Sequence, residues 1–366
     1  MNQPSFSELY ERQISLKEIG EFGQHLLQNS SIVVVGCGGL GSMVAVKLAA
    51  SGIGTIHLVD YDVVSISNLH RQVFYTLEDV GKSKVNCLKK YINKITPFVK
   101  IIEHQLMVSK NNINEVLQHA ELIVDCTDDL YIKYLINDAC VMSQKTLIYG
   151  SLHKFDGYIA TFNHLLADGS RTANLRDAFP EIPEKLPPSC AEVGTLNTIV
   201  GIIALYQANE VLKLVLKKGS LFTDKLFIYN SLYNTFQTIQ LQKKVTETKI
   251  KADFEQADYS SKSCESKLDI ESLSVNEFLE KLKNDNVTVL SFGGKLPKNR
   301  HSDKVIRLPY LSFDPFNMPI KHTHEYIIVC ERGTLSYDAG LALKEAHPTL
   351  KIYNLTNGLQ ALTNLF

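Results

Sequence analysis

Gly36-Cys37-Gly38-Gly39-Leu40-Gly41 closes one apolar run and opens a helical one. Glycines at 36, 38, 39 and 41 carry no Cβ, so backbone N–H groups at a helix start can approach a phosphate. Asp60 ends the next apolar run, about where an acid hydrogen-bonds a ribose hydroxyl. Taken alone, this is a dinucleotide signature, and an NAD-dependent oxidoreductase is one reading. The residues that follow favour another: Ser67-Asn68-Leu69-His70-Arg71-Gln72, then Gly81-Lys82-Ser83-Lys84, then Asp125-Cys126-Thr127-Asp128-Asp129. A nicotinamide site wants an apolar face and one acid–base group. Two cations and an acid pair around a phosphate turn suit a triphosphate attacked at its α-phosphorus. There Arg71 and Lys84 would stabilise charge on the phosphoryl oxygens, and a carboxylate would hold Mg²⁺.

Two cysteines also carry possible chemistry. Cys190 lies between a proline-rich segment and a long helical stretch, where a helix N-terminus favours a thiolate. It reads equally as a small buried residue at a helix start. Cys330 closes Tyr326-Ile327-Ile328-Val329 and begins Cys330-Glu331-Arg332-Gly333-Thr334-Leu335-Ser336, which runs into a helix. Such a loop wraps backbone N–H groups around the sulfur, stabilising a thiolate or a persulfide.

Strands and helices must bring these groups to one edge. Ile32–Val35, Ile56–Val59, Leu122–Val124 and Thr146–Tyr149 read as buried parallel strands. Gly39–Ala50, Lys82–Ile95, Ile113–Ala120, Leu130–Met142 and Leu196–Lys217 read as helices. This alternation predicts an α/β fold with a doubly wound, Rossmann-like sheet, whose ligands sit at the carboxyl ends of the strands. Prolines from Phe179 to Pro188 exclude regular structure and predict a surface loop. Residues 1–242 thus form a nucleotide-binding domain. The polar stretch 243–267 reads as a linker, and 268–366 as a second, small α/β domain. In that domain, Val275–Leu282 and Tyr337–Ala346 are expected helices. Val287–Leu290, Tyr326–Val329 and Leu350–Tyr353 are expected strands. His322 and His324 read as surface histidines, with no further ligand near in sequence.

The bulk numbers narrow the class. At 366 residues the chain is long enough for about two domains. Thirty-eight Lys+Arg against thirty-nine Asp+Glu argue against a nucleic-acid partner bound by bulk charge. No run of about 18 uninterrupted apolar residues predicts a membrane span. The first residues lack the basic and apolar regions of a signal peptide. Seven cysteines without a paired framework suit a reducing compartment. The expectation is a cytoplasmic protein with no membrane association.

The order of these motifs resembles the ubiquitin-activating-like adenylyltransferases of the ThiF/MoeB/HesA type, from about Glu11 to Leu241. The resemblance is carried by the Gly36–Gly41 turn, Val59-Asp60-Tyr61-Asp62, Asn68-Leu69-His70-Arg71-Gln72, Lys84, Asp125-Cys126-Thr127-Asp128 and Pro188-Ser189-Cys190-Ala191-Glu192-Val193-Gly194. It implies ATP-dependent adenylation of the C-terminal glycine of a ubiquitin-fold sulfur carrier, ThiS-like or MoaD-like, with pyrophosphate released. Asp60 would then hold the ribose, Asn68, Arg71 and Lys84 the phosphates, and Asp128 the Mg²⁺, with Asp62 and Gln72 also among the cofactor-binding residues. Cys190 would be the position that can attack the activated carboxyl group. A homodimer is also implied, with Arg12 of Tyr10-Glu11-Arg12-Gln13 reaching the partner's site.

Many members hold a structural zinc on two Cys-x-x-Cys pairs. Here Asn174-Leu175-Arg176-Asp177 occupies the first place, and no cysteine follows Leu241 until Cys264. No zinc is therefore expected. Residues 268–366 resemble a rhodanese domain, with two departures. Leu335 stands where an Arg is usual, and the Asp-Val-Arg motif is replaced near Ser291-Phe292-Gly293. A working sulfur donor, fed by thiosulfate or a cysteine desulfurase, and a degenerate domain are both open readings. Thiamine or molybdopterin synthesis would be the setting. The rival classes are the oxidoreductase and a non-catalytic scaffold that binds the carrier.

Overall fold

The computed structural model describes residues 4–182, 194–257, 259, 270–292, 304–308, 313–330 and 334–365. The chain divides into two compact units, Met1–Ser261 and Lys262–Phe366.

In the first unit, helices α1 (Phe6–Ile14) and α2 (Gly20–Gln28) precede strand β1 (Ser31–Val35). Then follow α3 (Gly39–Ala50), β2 (Thr55–Val59), α4 (Lys84–Ile95), β3 (Lys100–His104), α5 (Ile113–Leu117), β4 (Leu122–Asp125), α6 (Leu130–Met142) and β5 (Thr146–His153). Strand β6 (Asp156–Phe162), helices α7 (Leu175–Ala178) and α8 (Asn197–Leu216), strands β7 (Lys225–Asn230) and β8 (Thr235–Gln240), and helix α9 (Glu247–Gln256) complete it. The eight strands lie in the order β3-β2-β1-β4-β5-β6-β7-β8. The first five in that order are parallel, and β5 to β8 form an antiparallel meander.

Ile32-Val33-Val34-Val35 is apolar throughout because helices cover both faces of its sheet. Ile32 and Val34 join one core with Val44, Leu48, Leu88, Ile199 and Ile203. Val33 and Val35 join the other with Ile123, Leu135, Leu147 and Phe162. Val35 pairs with Val59 on one side and Asp125 on the other. Three strands therefore end level, and the loops beginning at Gly36, Asp60 and Cys126 emerge side by side.

Helix α8 is long and apolar enough to cross a membrane by length and composition. Here it is a core helix: Ile199, Val200, Ile203, Ala204 and Val211 are buried. Its buried Glu210 accepts from Thr161 Oγ1 at 2.7 Å and from the Phe222 N–H at 2.8 Å.

Two expectations change. Strands β3, β6, β7 and β8 join the sheet beyond those expected from the sequence. In β3 and β6 polar residues or glycine interrupt the apolar ones, β7 carries the run Leu226-Phe227-Ile228-Tyr229 outside the expected strands, and β8 is exposed along its length. The stretch read as a linker from residue 243 carries helix α9, which starts at a Thr246 cap and packs on α6. It was legible only as polar because a single narrow stripe, with Ile250 fully buried and Phe254 partly so, faces the core. The first unit therefore runs past 242, to about residue 261.

The second unit is a five-stranded, all-parallel sheet, β11-β10-β12-β13-β9 in space. In chain order it comprises β9 (Glu271–Leu273), α10 (Val275–Lys281), β10 (Val287–Phe292), β11 (Val305–Arg307), β12 (Glu325–Cys330), α11 (Thr334–Ala346) and β13 (Ile352–Leu355). Val289, Ile327, Val329 and Leu355 pack one face, and Leu290, Ile328 and Leu343 the other. Cys330 ends the central strand.

Candidate active site

The glycine turn is set by close approaches. Gly36 has φ +88°, and a Cβ there would meet the Cys126 carbonyl oxygen at 2.8 Å. A Cβ on Gly41 would fall 1.7 Å from the Gly36 carbonyl oxygen. Gly38 differs: the nearest atom to a Cβ is Gln72 Nε2 at 3.5 Å, and the residue borders a cavity at the carboxyl edge of the sheet. Gly38 is also the N-cap of α3, with no side chain capping the helix. Among the described residues the first-turn N–H groups of α3 thus have no side-chain acceptor, the arrangement that binds an anion.

The same cavity is bordered by Gly36, Gly39, Asp60, Asp62, Asn68, Arg71, Gln72, Lys84 and Asp128. Asp60 is buried and accepts from the Cys37 N–H at 2.6 Å and the Asp62 N–H at 2.8 Å. Burial raises its carboxyl above the usual range, against the pull of Lys84 and those two N–H groups. Each oxygen retains a lone pair for a ribose hydroxyl. Lys84, the first residue of α4, is buried and pairs with Asp62 at 2.8 Å, which fixes its ammonium at the cavity wall. Arg71 donates from Nη2 to Asn68 Oδ1 at 2.8 Å and holds Nη1 2.9 Å from His70 Nε2. Among the described residues, no carboxylate pairs with it. Gln72 is buried, and its Oε1 has no hydrogen-bond partner among the described residues.

Three aspartates lie at the end of β4 and in the turn after it, and take three different parts. Asp125 is fully buried, pairs with Lys133 at 3.1 Å and accepts from Thr127 Oγ1 at 2.7 Å. Asp129 caps α6, accepting from the Tyr131 and Ile132 N–H groups. Asp128 is exposed at the cavity. Among the described residues no hydrogen bond or ion pair engages its carboxylate.

Gly41 lies in the first turn of α3 and works through packing. Arg12 is exposed on α1, whose Tyr10 and Phe6 pack on Thr96 and Phe98. It is not among the residues bordering the cavity of its own chain. Cys190 lies outside the described residues. Cys330 belongs to the second unit, where it is buried. Its sulfur accepts from the Ser336 N–H at 3.3 Å, and Ser336 Oγ lies 3.2 Å from it. Ser336 also donates to Asn354 Oδ1 at 2.7 Å. His324 Nδ1 lies 2.9 Å from Thr288 Oγ1, and His322 is exposed. Sequence reasoning missed the cavity's apolar wall, Leu106, Met107 and Val108, because β3 itself was not recognised. It missed Thr195 too, which borders the cavity just before α8 and whose Oγ1 has no partner among the described residues.

The two places where the resemblance puts cysteine pairs are joined differently. Asp177 Oδ1 accepts from the Lys244 and Val245 N–H groups at 2.7 and 2.8 Å. Beside it, Arg176 forks onto Asp138 at 2.8 and 2.7 Å, and the Tyr259 hydroxyl donates to Asp138 at 2.6 Å. A guanidinium cannot ligate a cation, so these residues do not fit a tetrahedral thiolate zinc.

A model described as the ThiF family matches residues 10–250. The probable adenylyltransferase/sulfurtransferase MoeZ of Mycobacterium tuberculosis (strain CDC 1551 / Oshkosh) is 36% identical over 68% of this chain, and the match spans 64% of its own length. The sulfur carrier protein adenylyltransferase of Thermus thermophilus is 36% identical over 64% of this chain and 87% of its own. Among solved structures, E. coli MccB is 23% identical, with a TM-score of 0.57 over 66% of this chain and 71% of its own, a likeness of fold.

Proposed function

The chain belongs to the ThiF family, and on that premise we propose that it adenylates the C-terminal glycine of a ubiquitin-fold sulfur carrier with ATP and Mg²⁺. One observation carries this reading: Asp128 stands uncommitted at a cavity that also holds Arg71, Lys84 and the uncapped start of α3. An oxidoreductase would have no use for a carboxylate and two cations gathered at a phosphate turn.

The cavity fits a nucleoside triphosphate. Gly38 leaves open space where a side chain would intrude, and Gln72 Oε1 is a buried acceptor in want of a donor. Asp60, with Asp62, would take the ribose, and Leu106 to Val108 the base. Asn68, Arg71 and Lys84 would serve the phosphates and Asp128 the Mg²⁺, while Gln72 Oε1, an acceptor, would take a hydroxyl donor of the nucleotide. A carrier carboxylate oxygen attacks the α-phosphorus. A new P–O bond forms, the bond to the β-phosphate oxygen breaks, and pyrophosphate leaves. Arg71 and Lys84, fixed in place beforehand, lower the barrier by meeting the charge that grows on the phosphoryl oxygens. The product is a mixed anhydride, open to a sulfur nucleophile.

The second unit is read as a rhodanese-like domain whose Cys330 carries that sulfur as a persulfide. Its outer sulfur bonds the carbonyl carbon and AMP leaves. A second thiol cleaves the resulting acyl disulfide, releasing the thiocarboxylate and ending as a disulfide with Cys330. The name adenylyltransferase/sulfurtransferase carried by MoeZ supports this pairing, as does the enclosure of Cys330 by Ser336. The sulfur would come from thiosulfate or a cysteine desulfurase, in the cytoplasm, for thiamine or molybdopterin synthesis. Cys190 is the second candidate nucleophile. Arg12 completes the site of a partner subunit in a homodimer.

Isotope exchange between pyrophosphate and ATP tests the adenylation step, since hydride chemistry supports none. Wild type should exchange in the presence of carrier. Asp128→Ala should lose at least about 100-fold, the scale of removing one electrostatic stabiliser, with its far-UV circular dichroism unchanged. Near-normal exchange by Asp128→Ala would remove that residue, and no exchange by wild type with any carrier would leave a binding scaffold.

A further inference from the structure

Away from the cavity, three histidines far apart in sequence meet in the first unit. His57 is the central residue of β2 and buried, His104 is the last residue of β3, and His119 lies in the α5–β4 connection. One ring nitrogen from each lies within 4.8 Å of the others, and His57 Nδ1 is 2.9 Å from His104 Nε2. The rings stack, with centroids 4.5, 5.0 and 5.2 Å apart. Packing alone rarely selects this. Apolar residues would fill the edge of a sheet more cheaply than three imidazoles whose ring nitrogens need partners.

We propose that His57, His104 and His119 bind one first-row divalent metal ion, Zn²⁺ being the ion this donor set fits. Zinc–imidazole bonds of about 2.0–2.1 Å in a tetrahedron put ligand nitrogens about 3.3 Å apart, so the His57–His104 pair must open from 2.9 Å while nitrogens up to 4.8 Å apart close in. The rings must turn about their terminal torsion to converge, and that torsion is broad for histidine. Three imidazoles leave the fourth position to water. Imidazole suits zinc, copper and nickel, while Mg²⁺ prefers oxygen, so the nucleotide's cation would not compete here.

The site is also placed to matter. The His104 carbonyl accepts from the Asp60 N–H at 3.2 Å, and Leu106 to Val108 follow directly. A cation held here ties edge strand β3 to β2 and to the α5–β4 connection, immediately behind one wall of the cavity. Missing cysteine pairs predict no cysteine-held zinc. These histidines are a different donor set at a different place, and the proposal stands or falls apart from the adenylation reading.

Calorimetry on the tag-free full-length chain, stripped with chelator and free of nucleotide, tests it with Zn²⁺ as titrant. Wild type should bind one equivalent. The His104→Gln/His119→Gln double variant should bind at least about 100-fold more weakly, since even losing a group that merely orients a ligand costs about 10–100-fold in affinity. Should the double variant misfold, the ring ¹⁵N resonances of wild type give the answer without substitution. Zn²⁺ should shift three histidine spin systems in slow exchange. Failure of wild type to take up stoichiometric zinc, undiminished uptake by the folded double variant, or unmoved histidine resonances would overturn the assignment.

Discussion

Replacing Arg176 with methionine should destabilise the first unit by about 3–5 kcal/mol, the usual cost of stripping one partner from a buried ion pair. Arg176 is 4% exposed and Asp138 fully buried, and the guanidinium holds both carboxylate oxygens. Methionine keeps much of the stem's volume but, among the described residues, leaves the carboxylate with the Tyr259 hydroxyl and the Asn137 amide as donors. Those two bonds persist and soften the loss, which favours the lower end, about 3 kcal/mol. For a unit of this size 1 kcal/mol moves the melting midpoint by about 2–4 °C, so a fall of about 6–12 °C is expected. The chain has no tryptophan, so far-UV circular dichroism of the full chain is the suitable probe. Adding Asp138→Asn removes the stranded charge and should restore a good part of the loss, because an amide costs less to bury than a carboxylate. A midpoint within about 2 °C of wild type for Arg176→Met would refute the view that this cluster holds α7 against α6.

The glycines should separate by cause. Gly41→Ala should destabilise the fold, its Cβ falling on the Gly36 carbonyl, whereas Gly38→Ala should melt like wild type yet weaken ATP binding when measured by calorimetry. Cys330→Ser should leave pyrophosphate exchange intact and lower thiocarboxylate formation, followed by mass spectrometry of the carrier. Formation at the wild-type rate would make the second unit a docking module or a relic. Mixing inactive Arg12→Ala subunits with inactive Asp128→Ala subunits should restore activity toward half per mixed dimer, since both lesions then fall in one site and the other is whole. No recovery after verified subunit exchange would refute the contribution in trans.

Some of this protein is written in local order along the chain. Ile32–Val35 followed by Gly36–Gly41 specifies a strand, a turn and a helix start within a dozen residues, because backbone sterics and burial on both faces act locally. Asp60, Asn68, Arg71, Gln72, Lys84 and Asp128 could be named for the same reason, each following an element that the apolar pattern reveals. What each side chain does there depended on contacts between distant segments. Asp125, Asp128 and Asp129 are equivalent as letters. Only Lys133, one helical turn into α6, and the cap of that helix commit two of them and leave the third at the cavity. Helix α9 is hidden because its apolar stripe has meaning only against α6. The union of Arg176, Asp138 and Tyr259 spans 121 positions between Asp138 and Tyr259. The histidines join β2, β3 and the α5–β4 connection across a sheet edge whose second strand has no strong apolar signature. Periodicity reports which side of an element is buried, and it carries no information on what meets that side. That pairing is decided when the sheet closes and the helices dock on it.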